Sequence, residues 1–204
     1  MKRVHNKNLQ KGFTLAETIV TLAVVGLIVA SVAAFQANVF SFTRTFNAGL
    51  SAADHARRVL KPISNELRAA ETSEVGNYAI SEGTATSVTF FSDIDSDDVA
   101  EMVRYYLDGT DIKKEVTEPA ENPYDYNSGT TETITIIRGV TNSDIFYYYD
   151  TDYDGTTSAL TFPITVTDAR LIKISLTIDE DPQKDPPPLS IVTEVSFRNL
   201  KDNY

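Results

Sequence analysis

From Thr18 to Thr43 the chain holds no charged residue, and Thr18–Phe35 is almost wholly apolar. A helix rises 1.5 Å per residue, so about 20 such residues cross a hydrocarbon core of about 30 Å. The helical pattern does not stop where the apolar run stops. Val39, Phe42, Phe46, Leu50, Ala53, Leu60, Ile63, Leu67 and Ala70 recur at spacings of three, four or seven, which marks one face of an amphipathic helix. Arg44, Asp54, Arg57, Arg58, Lys61, Glu66 and Arg68 fall on the other face. Gly49 and Pro62 interrupt the pattern. Pro62 is expected to kink the helix, because it lacks a backbone donor and crowds the preceding turn. Read as one element, Phe13–Ala70 is about 87 Å long, with its first half in lipid and its second half packed on something outside.

Beyond residue 70 the period changes. Tyr, Phe, Thr, Val and Ile come in short runs separated by Gly, Asn and Asp, a strand-and-turn composition. Strands are expected at Ser87–Phe91, Met102–Leu107, Ile112–Val116, Glu132–Ile137, Ile145–Tyr149, Arg170–Asp179 and Leu189–Arg198. The last two are expected to pair as an antiparallel hairpin. Between them Glu180–Pro188 reads EDPQKDPPP and cannot extend either ladder, because proline brings no donor; it reads as a mobile loop. The fold class is therefore α+β: a long N-terminal helix whose outer half packs on an antiparallel sheet head through its Leu60/Leu67 face.

Charge divides the 204 residues unevenly. Residues 1–12 carry Lys2, Arg3, Lys7 and Lys11 and no acid. The segment after residue 70 is strongly acidic and dominates the net charge of -11. No nucleic-acid partner is expected, since that needs a basic face to displace counterions. The absence of cysteine removes disulfides, thiolate metal sites and cysteine nucleophiles. Two histidines, His5 and His55, are too few and too badly placed for a triad or a multi-histidine site. No G-x-S-x-G, H-E-x-x-H or phosphate loop occurs, so the chain is not expected to be an enzyme.

Three readings fit an apolar segment behind a basic leader. A secretory signal could be cut near Ser31-Val32-Ala33. A plain signal anchor would stay uncut. Either way the positive-inside rule leaves the N-terminus in the cytoplasm and the head outside. Glu17 points to the third reading. A carboxylate inside a membrane costs about 2.5–3.5 kcal/mol on insertion scales, and a helix that only anchors has no use for one. Its charge can instead meet a cation when the helix leaves the lipid.

Lys11-Gly12 followed by Phe13-Thr14-Leu15-Ala16-Glu17 and a long apolar run resembles the class III signal of type IV pilins and type II secretion pseudopilins. The resemblance is strongest over residues 7–40. It implies that a prepilin peptidase cuts between Gly12 and Phe13 and methylates the new Phe13 amine. It also implies that Glu17 offsets that positive amine on a neighbouring subunit. The expected parts are then a cleaved leader (1–12), a transmembrane and filament-core helix (13–36), its amphipathic continuation (37–70) and an acidic β-rich head (71–204). Expected partners are the peptidase and methylase, other pilin or pseudopilin subunits, an inner-membrane assembly platform and membrane lipid. Two departures are visible. Thr18–Phe35 has no proline, so any local melting there would use Gly26, and the head has no cysteine to close a loop. The order of strands in the head, with Ile145–Asp150, Ala169–Leu176 and the closing Phe197-Arg198-Asn199, is similar to J-class minor pseudopilins and W-type minor pilins. A minor structural subunit follows by resemblance. The alternative is an adhesive or substrate-binding tip, suggested only by the Tyr-rich Phe146–Tyr149 and the acidic turns.

Asp150-Thr151-Asp152-Tyr153-Asp154-Gly155 spells D-x-D-x-D-G. Alternating carboxylates before a glycine can aim several hard oxygens inward, as Ca²⁺ requires. The twelfth loop position is Thr161, so this is no EF-hand. Asp93, Asp95, Asp97 and Asp98 form a second such run. Both also suit ordinary solvated turns. Calcium at Asp150, Asp152 and Asp154 is the one cofactor the sequence suggests, and none is required.

Overall fold

The structure, a computed structural model, describes residues 12–179 and 188–197. Most of the basic leader, residues 180–187 of the proline-rich connector and Arg198-Asn199 lie outside the described residues. The chain falls into two compact units, Met1–Phe46 and Asn47–Tyr204. One helix, α1 (Leu15–Ala69), runs through both and continues past Pro62.

In the first unit α1 is predominantly apolar, and its described side chains are exposed. Leu15, Leu22, Leu27, Phe35 and Phe42 are among the exposed side chains. Leu15–Thr43 is long and apolar enough to cross a membrane. Its few hydroxyls are turned onto the helix itself. Thr18 donates to the Leu15 carbonyl, Thr21 to Glu17, Ser31 to Leu27 and Thr43 to Val39, each at 2.8–2.9 Å. A polar group bonded to its own backbone leaves an apolar exterior.

The second unit is the α+β head. Leu60, Ile63 and Leu67 on the last turns of α1 and Ala70 just after it are buried, as their spacing predicts. They join one core with two antiparallel sheets. The first is a meander of β1 (Ile80–Gly83), β2 (Ser87–Ser92), β3 (Glu101–Asp108), β4 (Asp111–Ala120) and β5 (Asp125–Ile137), paired in chain order. The second is β6 (Phe146–Tyr149), β7 (Leu171–Ile178) and β8 (Leu189–Ser196), again in order. The expected β7–β8 hairpin is present, with Leu171 opposite Ser196 and Ile178 opposite Leu189. Strand alternation sets the core: Ile172, Ile174, Leu176 and Ile178 face inward from β7. β1 was not expected, and β5 starts seven residues before its expected N-terminus at Glu132.

The sheets meet where β6 begins. The amides of Ile145 and Phe146 both donate to the Ala85 carbonyl in the β1–β2 turn. Tyr148 donates its hydroxyl to the Ser87 carbonyl at 2.9 Å. Gly83 stands beside that ring. A Cβ there would lie 2.7 Å from Tyr148 and 2.5 Å from Ile164, so a larger residue would force these side chains to shift. Pro119 sits inside β4 without breaking the sheet because the β4–β5 register shifts between Glu118 and Ala120.

Candidate functional site

The N-terminal segment is built around the start of α1. Gly12, Phe13 and Thr14 precede the helix and are exposed, Phe13 at 77 %. Thr14 is the N-cap: its hydroxyl accepts the Glu17 amide at 3.3 Å, and its carbonyl accepts the Thr18 amide. Glu17 then sits in the first turn, where the unpaired amides of a helix start favour an anion. Thr14-x-x-Glu17 is thus also a capping-box pattern, a local role that the sequence reading of Glu17 did not include. The Gly12–Phe13 bond precedes the helix. Glu17 is exposed, and no lysine or arginine pairs with it among the described residues.

The two acidic turns differ. In the turn after β6, Asp154 is occupied with its own backbone. Its Oδ1 accepts the amides of Thr156 and Thr157 and both threonine hydroxyls, which hold the carboxyl well below the usual carboxylate range. Asp150 Oδ1 caps the Asp152 amide. The three carboxylates Asp150, Asp152 and Asp154 are not gathered around one point. The β2–β3 connection does gather its acids. One oxygen from each of Asp93, Asp95, Asp97 and Glu101 lies within 4.8 Å of the others, the one such group among the described residues.

Glu101 went unnoticed in the sequence because it precedes the apolar run Met102-Val103. In the structure it is the first residue of β3 and faces inward, in line with Val103 and Tyr105. It is fully buried. One oxygen, Oε2, accepts the Ile94 amide at 2.8 Å. Burial pushes its pKa up to about 7; the Ile94 amide opposes that shift, and the charges of Glu118 and Asp95 add to it. The readable signal was an acid at the ninth position of a loop whose first, third and fifth residues are aspartates.

The Tyr-rich strand is largely core. Phe146, Tyr148 and Tyr149 are buried, and only Tyr147 is partly exposed. Tyr149 packs against Tyr153 with ring centroids 4.1 Å apart.

Residues 7–33 match the family model of the prokaryotic N-terminal methylation motif. No curated protein matches the chain.

Proposed function

Because the chain carries the class III signal sequence of type IV pilin and pseudopilin precursors, we propose that it is a minor structural subunit of a type IV pilus or type II secretion filament. It works by assembly and not by catalysis. Prepilin peptidase cuts between Gly12 and Phe13, and the new Phe13 amine is methylated. Leu15–Thr43 anchors the precursor in the cytoplasmic membrane, with its N-terminus inside and its head outside. On assembly the apolar helices leave the bilayer and bundle in the fibre core, with the heads outward. An assembly platform and a separate motor supply the work.

One observation carries this reading. The stretch Leu15–Thr43 is predominantly apolar and exposed, yet it holds a single acid, Glu17, close to the cleavage point. An uncovered apolar helix needs lipid or other helices around it. An anion in such surroundings is tolerable only when paired, and the Phe13 amine of a neighbouring subunit is the cation that cleavage creates. The buried Phe146, Tyr148 and Tyr149 offer an adhesive surface nothing, so the structural role is preferred over the tip role.

The test separates processing from assembly. Mass spectrometry of the mature chain should find Phe13 at its start with one added methyl group. Glu17→Ala should be cut normally but enter filaments poorly. Normal incorporation of that variant would refute the charge pairing, and a mature chain starting at Met1 or just beyond Ala33 would refute the whole reading.

A further inference from the structure

We propose that the β2–β3 connection is a calcium site formed by Asp93, Asp95, Asp97 and Glu101. Three observations carry it. The first is spacing. Four carboxylate oxygens lie within 4.8 Å of one another, close enough for one ion at a Ca–O distance of about 2.3–2.6 Å to touch all four, and a set of carboxylates without water suits calcium better than magnesium, which keeps several waters. The second is an orphaned atom. Glu101 Oε1 is buried and has no hydrogen-bond partner, although buried polar atoms are ordinarily satisfied. Across the ladder Ser92 pairs with Glu101, and its Oγ is likewise buried and unpartnered. The third is uncompensated charge. No lysine or arginine forms an ion pair with any of the four acids among the described residues.

A buried carboxylate without a cation is costly, and glutamine would fill the same space without the charge. Glu101 therefore has a use that the fold alone does not explain. The loop is already bent for the task. Asp93 accepts the amides of Ser96, Asp97 and Asp98, while Asp95 and Asp97 each cap one amide through Oδ1 only. Their second oxygens remain available to a metal. Glu101 anchors the set to the sheet, and the three aspartates close over it from the loop.

The full chain in detergent, stripped with a chelator, is titrated with CaCl₂ by calorimetry and melted with and without Ca²⁺. The expected result is uptake at one site with a Kd of about 10⁻⁵ to 10⁻³ M and a rise in Tm of a few degrees at saturation. Glu101→Gln should weaken binding about tenfold or more, since ligand charge sets affinity. In chelator it should melt no lower than the parent, because it removes an unpaired buried charge. Asp97→Asn, at an exposed position, should repeat the loss of affinity without disturbing the core. Asp154→Asn should change nothing. Absence of both calcium heat and Tm shift at about 5 mM Ca²⁺ overturns the proposal. So does parental affinity in both Glu101→Gln and Asp97→Asn, or loss of binding in Asp154→Asn.

Discussion

Tyr105 donates its hydroxyl to the Glu66 carboxylate at 2.5 Å, joining strand β3 to the last part of helix α1. Lys114 on β4 reaches the other Glu66 oxygen at 2.8 Å. All three groups are largely shielded from water, so the helix is held to the sheet by a satisfied polar triad as well as by the Leu60, Ile63 and Leu67 face. Glu66→Ala should cost about 1–3 kcal/mol of head stability, because it strands a buried hydroxyl and an ammonium together. Glu66→Gln, which can still accept from Tyr105, should cost less. Urea unfolding of the full chain in detergent measures both. Equal losses would show that the hydrogen bond from Tyr105 contributes nothing once the charge is gone.

Alkali should unfold the head through its buried tyrosines. Burial, then the charge of Glu66 and the bond to it, raise the Tyr105 pKa above its ordinary value; burial is also the main cause for Tyr148. The folded chain therefore keeps protons that the unfolded chain gives up near pH 10. Their contribution is complete below that pH and is lost as pH rises above it. Stability should fall by about 1.4 kcal/mol per pH unit for each tyrosine. Tyr105→Phe should lower the slope measured above pH 10 by about 1.4 kcal/mol per pH unit.

Gly83 and Gly26 should respond oppositely to alanine. Gly83→Ala forces the Tyr148 ring aside and should cost about 1–3 kcal/mol. A Cβ at Gly26 meets nothing within 4 Å. Gly26→Ala should therefore favour the isolated helix by about 0.8–1 kcal/mol. Circular dichroism melts of the two variants in detergent give the sign of each effect. If Gly26→Ala nonetheless impairs filament formation, the close approach it blocks is between subunits.

Thr14 and Glu17 can be separated in the same way. Thr14→Ala removes the cap and should cost helix stability of about 0.5–2 kcal/mol. If Glu17 acted only by starting the helix, Thr14→Ala and Glu17→Ala would impair assembly alike. Assembly should instead depend far more on Glu17. Quantifying both variants in sheared filaments, against total cellular protein, decides it.

The sequence disclosed what local pattern controls. The apolar helix, its leader and the long alternating strands β7 and β8 each carry their own period. β1 was missed because Ile80–Gly83 is four residues long and half polar. The start of β5 was missed because Asp125–Gly129 has no alternation, and its place is set by pairing with β4. Glu66 falls on the charged face opposite the apolar one. Its partners lie 39 and 48 residues away, and no helical spacing reveals them. Glu101 keeps the inward register of its strand but is charged, and so lay hidden at the edge of an apolar run. Of the two acidic turns, the one with the tidier motif does not bring its carboxylates together, while the other does.

The hydroxyls of Thr18, Thr21, Ser31 and Thr43 bring one last consequence. Each already has a carbonyl to hold, so none has to find a new mate when acyl chains give way to the flanks of sister helices. Under the proposed assembly these positions would swap one hydrocarbon contact for another, which leaves the pairing of Glu17 as the polar change that the exchange brings.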